Sequence, residues 1–219
     1  EMRYKAVIFD LDGTLIDSMG LWRQVDRDFL HKRGIPVPRD LFDHLPQGNS
    51  FIQTAQYFKD RFGLADSAEE IMAEWTEMVG WHYANDVKLK PGAGKLVAKL
   101  HQAKVPLGLG TSNSRELAEK VLSRNGIWHC FASVVTGDQK LMGKPWPDIY
   151  LKGAQELNTA PADIIVVEDT LTGIQAAKAA GMQAVAIYDS DCEEFHPQIR
   201  ALADAFVLTH TELSELLES

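Results

Sequence analysis

Ala6-Val7-Ile8-Phe9-Asp10-Leu11-Asp12-Gly13-Thr14 runs from four consecutive apolar residues into an acidic turn containing glycine. A run without polar alternation is buried on both faces, the condition of a strand inside a parallel sheet. The switch to Asp10 and Asp12 places two carboxylates at the carboxyl end of that strand, where open α/β sheets bind their ligands.

Working outward, runs of the same kind recur at 105–110, 133–136, 164–167, 184–188 and 206–208, with helical stretches at 94–102, 115–125, 148–157 and 173–180. This alternation predicts crossover units and a doubly wound, parallel-sheet α/β core of Rossmann-like type. Gly126 after Asn125 and Gly181 after Ala180 mark helix stops, and Pro161 before Asp163 marks a turn. Before residue 86 the period changes. Leu21, Val25, Phe29 and Leu30 fall at helical spacing, as do Phe51, Ala55, Phe58 and Phe62, then Ile71, Trp75, Met78 and Val79. The expectation is an all-helical insertion over 16–89 that divides the α/β core into 1–15 and 90–219.

The 219 residues suffice for a sizeable core, and 45% apolar with 24% charged residues is ordinary globular composition. Thirty-one acidic against twenty-two basic residues give a net charge of -9, which disfavours nucleic acid and anionic membrane surfaces as partners. A phosphorylated ligand gains nothing from that field, so its site must supply local positive charge. Cys130 and Cys192 form neither a disulfide framework nor a zinc-site spacing, which points to a reducing cytoplasm. No apolar run approaches the roughly 18 to 20 residues of a membrane span. The start shows no basic-then-apolar leader, and Glu1 ahead of Met2 reads as an added residue. A soluble, cytoplasmic monomer is expected.

Four strand ends carry chemistry: Asp10 to Thr14 at the first, Thr111-Ser112-Asn113 at the second, Lys144-Pro145 after the third, and Glu168-Asp169 at the fourth. Parallel strands bring them to one edge. Asp10, Asp12, Glu168 and Asp169 would repel one another if left bare, and a divalent cation resolves that repulsion. Carboxylate oxygens of this kind suit Mg²⁺, and Lys144 adds a second positive charge. Taken singly, each feature is bland: D-x-D-G is a turn, Lys144 a surface lysine, and Thr111 or Ser112 a helix cap. The ordered set carries the signal.

Two other motifs fail. Gly92-Ala93-Gly94-Lys95 suggests a phosphate-binding loop, but Leu89 stands where its first glycine belongs and Leu96 where Ser or Thr is needed, so a helix start after Pro91 is expected. Gly108-Leu109-Gly110 has Asn113 where a third glycine would complete a dinucleotide fingerprint, which leaves close packing within a strand. The seven histidines show no metal-ligand spacing, and the five tryptophans read as packing residues.

The set Asp10-Leu11-Asp12-Gly13-Thr14, Thr111, Lys144 and Glu168-Asp169 resembles the four motifs of the haloacid dehalogenase-like phosphatases. Lys144 to Asp148 and Glu168 to Ile174 resemble the subfamily holding β-phosphoglucomutase and small sugar-phosphate phosphatases. The insertion resembles its cap domain. The resemblance implies that Asp10 attacks phosphorus while Asp12 protonates the leaving oxygen and then activates water. It implies Mg²⁺ held by the Asp10 carboxylate, the Asp12 carbonyl and Asp169, with Glu168 contributing directly or through water. Thr111, the N–H groups of Ser112 and Asn113, and Lys144 would hold the phosphoryl oxygens. The ligand implied is a small phosphorylated metabolite, a sugar phosphate above all.

Asp12 separates phosphate esters from the dehalogenase and phosphonate branches, which lack this second aspartate. Against a mutase, Trp22 stands where β-phosphoglucomutases place a histidine, and Phe51 follows Gly48-Asn49-Ser50 where they carry an arginine. Both departures favour hydrolysis over transfer to a second hydroxyl. A catalytically silent binding protein would need a broken motif, and none is broken. Trp22, Phe51, Trp75 and Trp81 are expected to pack within the cap more than to touch substrate, with hinges at 15–18 and 85–90 allowing closure.

Overall fold

β1 (Ala6–Phe9) is buried along its whole length and pairs in parallel with a strand on each side. In the computed structural model, which describes residues 2–41, 43 and 51–219, it is followed by α1 (Met19–Lys32), α2 (Phe51–Phe62), α3 (Ala68–Asn85) and α4 (Ala93–Gln102). Strand and helix then alternate: β2 (Leu107–Gly110), α5 (Arg115–Arg124), β3 (Ser133–Val135), α6 (Asp148–Glu156), β4 (Ile164–Glu168) and α7 (Leu171–Ala179). β5 (Gln183–Ile187), α8 (His196–Leu202), β6 (Ala205–Val207) and α9 (His210–Glu218) complete the chain.

The six strands form one parallel sheet in the order β3-β2-β1-β4-β5-β6. Chain direction across the sheet reverses between β1 and β4, which opens a crevice at their carboxyl ends. Period-two alternation sorts the strand residues between two layers. Val7, Phe9, Leu109, Val167 and Val185 face α4, α5 and α9, while Ala6, Ile8, Val166 and Ala184 face α6, α7 and α8. This is the expected doubly wound α/β core.

Local chemistry sets the boundaries. β2 begins at Leu107 because Pro106 has no N–H to donate, though its carbonyl accepts from Val7 N–H at 3.1 Å. Gly110 packs so closely on α6 that a Cβ would lie 2.8 Å from the Tyr150 ring, which accounts for the small residues of β2. Gly126 and Gly181 adopt φ of 76° and 78° just past α5 and α7, as their places in the sequence predict. The helices α8 and α9 have no counterpart in the sequence reading.

Between β1 and β2, α1, α2 and α3 share an aromatic core in which Phe58 and Trp75 meet edge to face at 5.1 Å and Phe29 packs on both. The two connections to this helical segment run side by side. Ile16 and Leu89 form an antiparallel bridge, with Asp17 N–H to Lys88 C=O at 3.1 Å and Lys90 N–H to Leu15 C=O at 2.8 Å. α3 lies against α5 of the sheet layer, where Asn125 Nδ2 donates to Val87 C=O at 3.1 Å. The Gly48-Asn49-Ser50 stretch lies outside the described residues. Among the described residues no helix is long and apolar enough to cross a membrane.

Candidate active site

The turn after β1 is fixed by backbone bonds. Asp10 N–H continues the ladder to Val167 C=O at 3.0 Å, and Leu15 N–H closes onto Leu11 C=O at 2.8 Å. Gly13 allows the reversal at φ 84°, and a Cβ there would lie 2.1 Å from Asp169 Oδ2. The reversal returns the Thr14 hydroxyl to 3.1 Å from both Asp10 Oδ2 and Asp169 Oδ1, so its single proton binds the end of β1 to the end of β4.

Lys144 is 2% exposed and spends its three donors on Asp10 Oδ1 at 2.9 Å, Gly110 C=O at 3.1 Å and Glu168 Oε1. Burial alone would lower its pKa, but the charges of Asp10 and Glu168 hold it above the usual lysine range. Glu168, which also accepts from the Tyr150 hydroxyl, is pushed up to about 7 by burial and by Asp10, against the opposing pull of Lys144. Burial, then Asp10 and Glu168, drive Asp169 well above the normal carboxylate range. One lysine therefore faces three buried carboxylates.

Those carboxylates, Asp10, Glu168 and Asp169, each offer an oxygen within 4.8 Å of the others. An all-oxygen, acidic, charge-deficient cluster with a glycine leaving room beside Asp169 fits a hard divalent cation. The Asp12 side chain is outside this group. It accepts from Ser18 Oγ at 2.5 Å, from Asn113 Nδ2 at 3.1 Å and from the Tyr83 hydroxyl. Enclosure raises its pKa, and these three donors oppose the rise. Two carboxylates two residues apart thus sit in different environments.

At the end of β2, Thr111 N–H pairs with Val135 C=O at 3.0 Å, and Ser112 C=O accepts Phe51 N–H at 2.8 Å. The Asn113 N–H donates to Thr111 Oγ1 at 3.0 Å, and its side chain donates to Asp12. The neighbouring helix cap is Ser114, which accepts from Leu117 N–H at 3.3 Å.

A cavity of about 510 Å³ opens over this floor. All the sequence-predicted residues line it except Glu168, which lies fully buried behind Lys144. Trp22, Phe51 and Trp75 also line it. Trp81 and Trp146, read from sequence as packing residues, are instead 62% and 55% exposed. Thr14, Ser18, Tyr83 and Tyr150 all bond to the acidic groups and are not among the sequence-predicted site residues. Thr14 had a signal in its place within the D-x-D-G-T turn; Tyr83 and Tyr150 had none, because an aromatic on a helix reads as core.

Carboxylates and one lysine gathered where a 3-2-1-4-5-6 sheet reverses direction, beneath a helical insertion, define a Rossmann-like α/β enzyme. Residues 7–187 match the family model of haloacid dehalogenase-like hydrolases, and the chain belongs to that family. The bifunctional riboflavin kinase/FMN phosphatase of Arabidopsis thaliana is 33% identical over 83% of this chain and 48% of its own, so the chain spans about half that relative's length. Fructose-1-phosphate phosphatase YqaB of Escherichia coli is 34% identical over 84% of this chain and 96% of its own. The crystal structure of CbbY from Rhodobacter sphaeroides in complex with phosphate superimposes with a TM-score of 0.84 at 26% identity, covering 97% of this chain and 96% of that one.

Proposed function

We propose that this chain is a Mg²⁺-dependent phosphatase that hydrolyses a small sugar phosphate through an aspartyl-phosphate on Asp10. Residues 16–89 act as a cap over a core of 1–15 and 90–219. The observation that carries the reading is the contrast between the two aspartates. Asp10 is fixed at the cavity floor between Lys144 and Thr14, while Asp12 has its own donors and a raised pKa. One is placed to attack, the other to carry a proton. The phosphatase names of the relatives above support the same reaction class.

In the first step a carboxylate oxygen of Asp10 forms a bond to phosphorus as the ester P–O bond breaks, and Asp12 gives its proton to the departing alkoxide. In the second, water attacks phosphorus, its proton passes to Asp12, and the Asp10–phosphorus bond breaks to release phosphate. Lys144 and Thr111 offset the charge on the phosphoryl oxygens. When bound by Asp10, Asp169, Glu168 and the Asp12 carbonyl, Mg²⁺ supplies the further positive charge that phosphoryl transfer needs. The free thiols Cys130 and Cys192 suit a reducing cytoplasm.

A mutase would have to grip a second phosphate, and the cavity presents Trp22 and Phe51 instead. The test is release of inorganic phosphate from hexose phosphates with Mg²⁺, against isomer formed when a sugar bisphosphate is added. Asp10→Asn should abolish both turnover and the mass of trapped phosphoenzyme. Dominant isomerisation, or label recovered on another residue, would overturn the proposal.

A further inference from the structure

The cavity wall carries one carboxylate that the reaction above does not use. Asp26, on α1, is 8% exposed and lines the same space as Asp10 and Asp12. Among the described residues no hydrogen bond reaches its carboxylate, whose surroundings act on it through burial and the charge of Arg27. Burial pushes its pKa up to about 7, against the pull of Arg27. Enclosed by protein and open only to the cavity, this carboxylate is an acceptor that a hydrogen-bonding ligand group can engage.

The cations around the cavity are already committed. Among the described lining residues they are Arg23, in an ion pair with Asp191, and Lys144, held by Asp10 and Glu168. The sequence from 44 to 50 contains neither lysine nor arginine. Asp43 and Glu194 add further negative charge to the lining. A substrate with a second phosphate or a carboxylate would meet acidic groups without a free cation to answer it, whereas a neutral or cationic one would meet an available acceptor.

The geometry points to a leaving-group subsite at Asp26 that selects phosphate monoesters of alcohols lacking a second anionic group and offering a hydroxyl or ammonium donor to its carboxylate. The inference rests on the phosphatase reading and specifies which substrates that site takes. Trp22 and the edge of Phe51 offer apolar contact to the carbon skeleton of such an alcohol, and Asp26 orients it through the donor.

The test compares kcat/KM for four probes: sorbitol 6-phosphate for the hydroxyl arm, glucosamine 6-phosphate for the ammonium arm, glucose 1,6-bisphosphate for a second anion, and p-nitrophenyl phosphate as a reference without a donor. The wild-type protein should favour at least one donor arm over the bisphosphate by about tenfold or more. Asp26→Asn and Asp26→Leu should lower the ratio of that arm to p-nitrophenyl phosphate by about tenfold, mainly through KM. A greater loss for the amine than for the polyol in Asp26→Asn identifies ammonium as the donor; equal losses identify hydroxyl. Ratios within about twofold of wild type in both variants, or preferred turnover of the bisphosphate, would overturn the inference. If the wild type turns over none of the four probes, it is the phosphatase reading that fails.

Discussion

The Tyr83 hydroxyl on α3 donates to Asp12 in the β1 turn while accepting from Trp22 Nε1 at 2.6 Å, so one phenol joins the helical insertion to the proposed acid/base. Tyr83 is itself fully buried, and its pKa is held well above the usual value by burial and by the Asp12 charge, so it acts as a donor throughout the working pH range.

Tyr83→Phe keeps the ring and removes only this junction. It should lower kcat by about tenfold with a small change in KM, the scale of one hydrogen bond to a charged group. Circular dichroism should show the fold retained. Wild-type kcat in the variant would mean that Asp12 is oriented by Ser18 and Asn113 alone.

Charge in the acidic cluster sets a second expectation. Asp10, Glu168 and Asp169 crowd one another, with Lys144 paired to the first two, so Mg²⁺ at about 100 times its dissociation constant should stabilise the fold by about 2.7 kcal/mol and raise Tm by several degrees. Chelation should reverse the shift and abolish turnover. Asp169→Asn should lose the Mg²⁺-dependent shift without lowering the metal-free Tm. An undiminished shift in that variant would remove Asp169 from the ligand set.

Gly13→Ala should fail in a way that an ordinary positive-φ glycine does not. At Gly13 a Cβ would strike Asp169 Oδ2 at 2.1 Å, whereas at Gly34, with φ 67°, it would meet nothing within 4 Å. Both variants carry a backbone cost of about 1 to 3 kcal/mol, but only Gly13→Ala should also weaken Mg²⁺ binding, measured by calorimetry. Equal metal affinity in the two would show that the space beside Asp169 is not needed.

His210 gives a pH dependence of stability. It is 3% exposed, its Nε2–H donates to Thr14 C=O at 2.9 Å, and burial depresses its pKa to about 4 from 6.5. The unfolded chain therefore binds the proton more tightly. The contribution is fully present above pH 6.5 and falls as pH drops toward about 4, with about 2 kcal/mol lost by pH 5. His210→Gln should flatten this part of the profile in urea unfolding compared at pH 7 and pH 5. An unchanged slope would place the titration elsewhere.

Most of the core was legible in the sequence because its strands are buried on both faces. Runs such as Ile164 to Val167 are continuously apolar, and polar residues appear abruptly where each strand ends. For the same reason the charged floor of the site stood out. What the sequence did not reveal depends on contacts across space: Tyr83 reaches Asp12 over 71 positions, and Tyr150 reaches Glu168 from a helix whose pattern shows only an aromatic at a core position. Asn113 was placed at the right strand end, but its partners were not readable, because the turn directs its amide toward Asp12 and its N–H toward Thr111. Asp26 carried no signal either, since one acidic residue on an amphipathic helix reads as solvated until burial is known.

The ladder at Ile16 and Leu89 means that the polypeptide leaves the sheet layer and returns to it through adjacent backbones. A module whose entrance and exit are neighbours can be lengthened, shortened or replaced without shifting the register of β1 against β2. On the proposed reading, selectivity carried by this insertion is then free to diverge while the chemistry proposed at Asp10 stays as it is.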